Sequence, residues 1–273
     1  MRVTFQGERG AFSEEAVRKL LGDSVELSPS PGFEEAFRRL SRGEADRAVL
    51  PMENSLAGSV HENFDLLLRY KMAILAETQV RIVHNLIAPP GVTFGQVRRV
   101  FSHPVALNQC RNFFRKHTKI APVSFYDTAG SVKMLMEQRP LDAAAIAPAA
   151  AGEIYGAKIL AKGLEDDKEN YTRFFLLART RRGLDPKRTS KTSIVFSTPN
   201  KPGALFWCLG VLASREINLV KIESRPLRGK PWEYLFYLDF VGRPEDRACK
   251  NALRHLGEMT DMLRVLGSYE VIK

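Results

Sequence analysis

Two spacings of apolar residues alternate along the first two-thirds of the chain. Short apolar runs, of the length of a buried strand, occur at residues 1–5, 46–51, 71–78, 80–89, 98–102, 121–126, 142–148 and 173–179. Between them, apolar residues recur every three to four positions, as on one face of a helix, at residues 10–21, 31–40, 59–70, 103–117 and 127–138. This succession predicts an α/β architecture with largely parallel sheets.

The pattern changes after residue 180. Residues 181–191 are basic, contain Gly and Pro and lack a period, which predicts a linker. Residues 192–273 follow the order strand, helix, strand, strand, helix, strand, and the first helix opens at Pro202. This βαββαβ order is the ferredoxin-like arrangement, and it is long enough to form a separate domain.

The composition is that of a soluble globular protein, with 44% hydrophobic and 26% charged residues among 273. The N-terminus has no apolar leader, and no stretch approaches the roughly 20 apolar residues of a membrane span. Cys110, Cys208 and Cys249 lie far apart without a CxxC pair, so we expect reduced thiols and no metal site. These features predict a cytoplasmic protein without membrane contact.

The formal net charge of +10 is compatible with a nucleic-acid binder or with a protein that handles small anions. The basic residues are scattered over apparent loops and form no continuous face along a helix. This favours an anionic small molecule as the ligand, and we expect no nucleic acid.

Small polar residues follow five of the predicted strands. The segments are QGERGAFS, PMENSLAGS, SHPVALNQ, DTAGS and PAAAG. In open α/β sheets ligands bind beyond the carboxyl ends of strands, where helix N-termini offer free N–H groups. The five segments therefore predict a polar cleft for a small, oxygen-rich ligand.

Several chemistries are excluded by missing motifs. The chain has no GxGxxG, no GxxxxGK[ST], no HExxH and no GxSxG. We therefore expect no dinucleotide, no metal and no other cofactor. Hydroxyls, amides and a few carboxylates remain, and they suit orientation and proton delivery.

The segments FQGERGAFSEEA, PMENSLAGSVHENFDLLL, FSHPVALNQC, DTAGSV, AAIAPAAAGEIYG and ENYTRF resemble the prephenate dehydratase family in order and spacing. NKPGAL and the downstream IESRP resemble that family's ACT regulatory domain. Val105, the GERG sequence and Gly130-Ser131 depart from the family pattern, which puts substrate preference in doubt more than reaction type.

The resemblance implies a fold and a domain plan. Residues 1–180 would form a catalytic domain similar to type II periplasmic binding proteins, with one lobe of roughly residues 1–78 and 160–180 and another of residues 79–159. Residues 181–191 would be the linker, and residues 192–273 a ferredoxin-like ACT domain.

The resemblance also implies the reaction of prephenate to phenylpyruvate, CO2 and water in phenylalanine biosynthesis. Thr172 would lie closest to the leaving hydroxyl. We expect Glu53 to be either a carboxyl of raised pKa or a carboxylate stabilised by the dipole at a helix N-terminus. The remaining candidates for catalysis are Asn54, Ser102 and Gln109, and those for substrate binding are Ser55, Thr128, Ala129, Arg173 and Phe174. If the strand starts by residue 172, Thr172 and Arg173 point to opposite faces, so we expect Thr172 at the cleft and Arg173 either against the wall or reaching round to an anion.

For the ACT domain the resemblance implies phenylalanine bound between two copies in a homodimer or homotetramer, inhibiting by a shift in conformer populations. The expected binding residues are Asn200, Pro202, Gly203, Ala204, Leu205, Glu223, Ser224, Arg225 and Pro226. Two alternatives stay open: arogenate as the substrate, giving phenylalanine directly, and a non-catalytic two-lobed amino-acid sensor.

Overall fold

The computed structural model describes residues 1–180, 190–227 and 229–272. The chain forms two compact units. The first comprises Met1–Tyr70 and Thr78–Leu176, and the second comprises Lys71–Glu77 and Leu177–Lys273. No helix in the described ranges is long and apolar enough to cross a membrane.

The first unit begins with one α/β lobe. Its elements are β1 (Arg2–Gln6), α1 (Phe12–Leu21), β2 (Glu26–Ser30), α2 (Phe33–Arg42), β3 (Arg47–Asn54), β4 (Gly58–Ser59), α3 (His61–Tyr70) and the end of β5 (Ala73–Arg81), whose residues 73–77 belong to the second unit. The apolar face of α2 is buried at Ala36, Phe37 and Leu40, as the helical period predicts. Strand β1 pairs in parallel with both β2 and β3.

The chain then builds a second lobe and returns. The elements are β6 (Asn85–Ala88), a 3-10 turn (Phe94–Gln96), β7 (Arg99–Ser102), α4 (Pro104–Asn108), α5 (Arg111–Lys116), β8 (Ala121–Ser124), α6 (Thr128–Gln138), β9 (Ala143–Ala147), α7 (Ala149–Tyr155), β10 (Lys158–Ala161) and β11 (Tyr171–Ala178). The sheet order is β10-β6-β9-β7-β8, and β11 lies beside β3 in the sheet of the first lobe.

The second unit contains β12 (Lys191–Ser197), α8 (Ala204–Ala213), β13 (Leu219–Pro226), β14 (Tyr234–Val241), α9 (Arg247–Met259) and β15 (Met262–Ile272). Its antiparallel strands lie in the order β13-β14-β12-β15. Both helices pack on this sheet around a core that includes Phe196, Cys208, Phe240 and Leu256. The predicted βαββαβ order is confirmed, as is the α/β fold class with a two-lobed first part.

Two local predictions were wrong. Residues 103–117 were expected to form one helix, but they form α4 and α5, because the Asp166 carboxylate accepts the N–H groups of Arg111 and Asn112 at 2.9 Å each and starts a new helix. Residues 80–89 were expected to form one strand, but the ladder is interrupted at residues 82–84, since Ile82 N donates to Asn170 O at 2.7 Å.

The segment 162–170, which leads from β10 to β11, supplies both Asp166 and Asn170. Elements β2, β4, the 3-10 turn, α7 and β10 were not predicted. The predicted linker lies outside the described residues except for Ser190 and Lys191, and Lys191 already belongs to β12. The domain boundaries stay a prediction.

Candidate active site

A cavity of about 390 Å³ in the first unit is lined by residues of both lobes. The first lobe with β11 contributes Ala11, Phe12, Ser13, Phe33, Pro51, Asn54, Ala57, Gly58, Ser59, Val60, Thr172 and Phe174, the chain between β5 and β6 contributes Ile82 and His84, and the second lobe contributes His103, Val105, Ala106, Gln109, Asp127 and Thr128. Aromatic and aliphatic groups therefore surround a few hydroxyls, amides and imidazoles, as in a site for a small organic ligand.

The lining contains no lysine or arginine. Helices α1 and α6 begin at the cavity, at Phe12 and Thr128, so the positive ends of their dipoles face it. An anion in this cavity would be held by backbone N–H groups, hydroxyls and amides.

Thr172 lies at the start of β11, and only 9% of its surface is exposed. Asn54 Nδ2 donates to Thr172 Oγ1 at 3.0 Å, and it also donates to Asn170 Oδ1 at 2.7 Å and Tyr171 O at 3.1 Å. Because Thr172 Oγ1 accepts this bond, its own hydrogen is free to donate. Among the described residues the structure gives that hydrogen no acceptor, so a ligand in the cavity can accept it.

The Asn54 amide is held from its other side by the backbone. Asn54 Oδ1 accepts from Leu56 N at 3.1 Å, from Ala57 N at 2.8 Å and from Gln109 Nε2 at 3.2 Å. Gln109 Oε1 in turn lies 2.9 Å from Nε2 of His84. Thr172, Asn54, Gln109 and His84 therefore form one hydrogen-bonded chain along the cavity wall.

Asp127 is the carboxylate of the cavity lining, and burial raises its pKa. Its Oδ1 accepts from Gly130 N at 2.6 Å, which caps α6. Its other carboxylate oxygen faces Gly7, where φ is +105° and a Cβ atom would lie 2.8 Å from Oδ2. The backbone at Gly7 and Glu8 can approach this carboxylate because residue 7 is glycine, and the backbone N–H of Glu8 lowers the pKa of Asp127 against the larger effect of burial.

Five predicted site residues line the cavity: Thr172, Asn54, Gln109, Thr128 and Phe174. The other five do not. Ser102 is fully buried and donates to Ile146 O at 2.6 Å, Ser55 donates to Glu169 O at 2.8 Å, Ala129 is buried within α6, and Glu53 and Arg173 lie together elsewhere.

Glu53 and Arg173 occupy the opposite faces of their strands from Asn54 and Thr172. Arg173 Nη1 lies 3.5 Å from Glu53 Oε2, and its guanidinium carbon is 4.6 Å from the centre of the Phe175 ring. Arg173 thus braces the wall behind the cavity, as the alternation of a strand requires. The same alternation places Glu53 outside the cavity, so its position gives the proton-donor role no support.

The structure adds cavity residues that the sequence did not single out. His84, His103 and Asp127 all line the cavity. A histidine inside the apolar run 80–89 was the available signal for His84, because a buried imidazole needs a polar partner. In the described part of the chain, no group of three or more His, Cys, Asp and Glu residues is placed to hold a metal ion.

The second unit has a smaller cavity of about 230 Å³ where α8 begins. Its lining includes Asn200, Gly203, Ala204 and Leu205, with Trp232, Tyr234 and Phe236 opposite. Pro202 does not line it. Residues Glu223, Ser224, Arg225 and Pro226 end β13 and pair with β14, so this cavity does not bring the two predicted segments together.

Known proteins are similar to this chain over much of its length. The family model described as prephenate dehydratase matches residues 3–182. Arogenate dehydratase/prephenate dehydratase 2, chloroplastic, of Arabidopsis thaliana is 47% identical over 280 residues, covering 99% of this chain and 73% of that protein.

Two solved structures are similar over nearly the whole chain. The prephenate dehydratase of Arthrobacter aurescens, in complex with L-Phe, is 33% identical with a TM-score of 0.89 and covers 99% of this chain and 90% of its own. GqqA, described as a novel type of quorum quenching acylase, is also 33% identical, with a TM-score of 0.90 and coverage of 99% and 98%.

Proposed function

This chain belongs to the prephenate dehydratase family and is a dehydratase, a carbon–oxygen lyase, and from that premise we propose that it converts prephenate into phenylpyruvate, CO2 and water. The observation that carries the proposal is the Thr172 hydroxyl. It accepts a hydrogen bond from Asn54 and keeps its hydrogen for a ligand in a cavity whose lining has no lysine or arginine.

The reaction removes two groups from one ring. The ring carboxylate leaves as CO2, the electrons of its bond enter the ring, and the ring hydroxyl leaves with a proton as water. A threonine hydroxyl is a weak acid near neutral pH, so Thr172 orients the leaving group and stabilises it by a hydrogen bond, and solvent supplies the net proton. Since aromatisation drives the reaction, orientation is the main task of the site.

A cavity lining without lysine or arginine suits this chemistry. The scissile carboxylate loses its charge as CO2 departs, so an arginine bound to it would stabilise the substrate more than the transition state. Neutral donors at the start of α1, with the hydroxyls and amides of the lining, can hold the carboxylates with less ground-state stabilisation.

The state of Asp127 favours prephenate over arogenate. The ammonium group of arogenate needs an acceptor or a counter-charge, whereas the keto group of prephenate needs donors. The Asp127 carboxylate accepts the N–H of Gly130 at 2.6 Å, and burial raises its pKa, which disfavours its charged form. An ammonium group in this cavity would therefore meet a carboxyl group whose charged form is disfavoured.

Separate incubations of the purified protein with prephenate and with arogenate test this proposal. We expect phenylpyruvate from prephenate, with a kcat/KM at least about tenfold above that for arogenate. Faster turnover of arogenate would reverse the substrate assignment. Binding without turnover of either would favour a two-lobed sensor, and hydrolysis of an N-acylated amine in a parallel reaction would favour an acylase.

Regulation by phenylalanine is the second part of the proposal. In the second unit, Gly203 with φ of +75° caps α8, whose free N–H groups can bind a carboxylate, and Leu205, Tyr234 and Phe236 offer an apolar wall. Support comes from the related Arthrobacter aurescens protein, which was solved with L-Phe. We further propose a cytoplasmic homodimer or homotetramer in which bound phenylalanine lowers activity.

The matched variants Asn200→Ala and Asn218→Ala test the regulatory site. Asn200 lines the cavity, whereas Asn218 is exposed outside it. We expect Asn200→Ala to weaken phenylalanine inhibition about tenfold or more and Asn218→Ala to leave it unchanged. Equal inhibition of both variants by phenylalanine would show that this cavity is not the regulatory site. Light scattering of the wild-type protein would give the oligomeric state.

A further inference from the structure

His84 is a buried polar side chain that the proposed reaction does not yet use. It lies between β5 and β6, is 2% exposed, and packs edge-on against Phe12 with ring centres 5.8 Å apart. Its Nε2 atom is 2.9 Å from Gln109 Oε1. Burying an imidazole costs free energy unless its nitrogens are hydrogen-bonded, so a buried histidine at this position indicates a role beyond packing.

The backbone fixes the direction of every bond between His84 and Thr172. Asn54 Oδ1 faces the N–H groups of Leu56 and Ala57, so it is the acceptor and Gln109 must donate to it from Nε2. Gln109 therefore presents Oε1 to the imidazole. An oxygen accepts, so His84 must carry its proton on Nε2.

That proton assignment leaves the other ring nitrogen without a bond. In the neutral ring Nδ1 is an acceptor, and among the described residues this buried atom has no partner. An unsatisfied buried acceptor is costly, and an apolar side chain would fill the same space without this cost. Among the described residues, the Nε2–H bond to Gln109 is thus the one hydrogen bond that the imidazole ring makes.

Neighbouring residues of one segment hold both partners. Glu165 Oε2 accepts from His84 N at 2.9 Å, and Asp166 N donates to Gln109 O at 2.7 Å. The backbones of His84 and Gln109 are therefore fixed relative to each other through adjacent residues. This arrangement keeps the imidazole within hydrogen-bonding distance of the amide.

We propose that His84 is a positioning residue for the dehydration. Its Nε2–H locks the Gln109 amide, Gln109 and the backbone lock Asn54, and Asn54 holds Thr172 Oγ1 as an acceptor, so that the threonine hydrogen is directed to the leaving hydroxyl. The inference rests on the proposed function.

Two substitutions separate this role from packing. Glutamine at position 84 places an amide N–H near the site of Nε2, whereas leucine fills the space without a donor. We expect His84→Leu to lower kcat about 10- to 100-fold with KM within about threefold, and His84→Gln to recover kcat to within about threefold of wild type. His117→Leu is the control, because His117 lies in an aromatic cluster of the second lobe outside the cavity lining and should leave kcat unchanged.

Wild-type kcat in His84→Leu would overturn the proposal, as would equal losses in both His84 variants at equal thermal stability. Nitrogen-15 NMR of histidine-labelled wild-type protein tests the inference without any variant. We expect the Nε2–H tautomer for His84, and an Nδ1–H tautomer would overturn it. Wild-type protein without prephenate turnover would reject the proposed function instead, and the tautomer would still report on the hydrogen-bonded chain.

Discussion

Replacing Asn54 with aspartate exchanges one nitrogen for oxygen at the centre of the cavity wall. In the wild type this nitrogen donates to Asn170 Oδ1, Tyr171 O and Thr172 Oγ1. With a carboxylate there, Thr172 must donate its hydrogen to position 54, and that hydrogen no longer points to a ligand. The substitution keeps the shape of the site and reverses one hydrogen bond.

The structure also indicates why the variant should fold. Asn170 Nδ2 is buried and has no partner among the described residues, so a rotated Asn170 amide can donate to the new carboxylate. The N–H groups of Leu56 and Ala57 continue to donate to its other oxygen. Only Tyr171 O is left facing an oxygen, so we expect a loss of about 1–2 kcal/mol in the free energy of unfolding.

Loss of one preorganised donor to developing charge typically costs about 10²- to 10³-fold in kcat. We expect this loss for Asn54→Asp in initial rates of phenylpyruvate formation from prephenate at pH 8, where the carboxylate is ionised. Asn108→Asp is the matched control, because Asn108 is exposed and outside the cavity. A folded Asn54→Asp variant with kcat within threefold of wild type would refute the assigned direction of the bond.

Three further predictions concern the surroundings of the cavity. Arg173→Ala should lower the free energy of unfolding by about 1–3 kcal/mol in urea titrations and lower kcat less than tenfold, because Arg173 braces the wall; a kcat loss equal to that of Thr172→Val would contradict this. Gly10→Ala should lower the free energy of unfolding by about 2–4 kcal/mol in the same titration, since φ is +82° and a Cβ would lie 2.7 Å from the Ala151 backbone. An unchanged free energy of unfolding would show that the lobes shift there. Burial lowers the pKa of His84 against the opposing effects of Gln109 and Glu165, so the unfolded state binds more protons below about pH 6.5 and the free energy of unfolding falls as pH drops. In His84→Gln this free energy should fall less over the same pH range, and identical curves for the two proteins would contradict the lowered pKa.

The sequence could predict which side chains of a strand face the cavity, because side chains alternate between the two faces of a strand. Thr172 and Phe174 line the cavity and Arg173 does not, as period two requires. The same rule, applied to β3, would have separated Asn54 from Glu53. Assigning both Glu53 and Asn54 to the site overlooked that β3 continues through Asn54.

The remaining errors have a tertiary origin. The helix expected over residues 103–117 breaks because Asp166, more than 50 residues away along the chain, caps α5. The strand expected over residues 80–89 breaks because the segment 162–170 bonds its backbone and the side chain of Glu165 meets His84. The local spacing of apolar residues predicts neither contact. Both contacts nevertheless hold residues of the hydrogen-bonded chain in place.

The proposed role of the Thr172 hydroxyl is decided by phenylpyruvate release from prephenate. The rates of wild-type protein and of Thr172→Val are compared at equal folded fraction. Valine keeps the shape of threonine and removes the hydroxyl that Asn54 holds at 3.0 Å. We predict turnover by the wild type and a loss in kcat of about 10²-fold or more in the variant, with KM within about threefold. Equal kcat values, or a wild-type protein that releases no phenylpyruvate, would contradict the account.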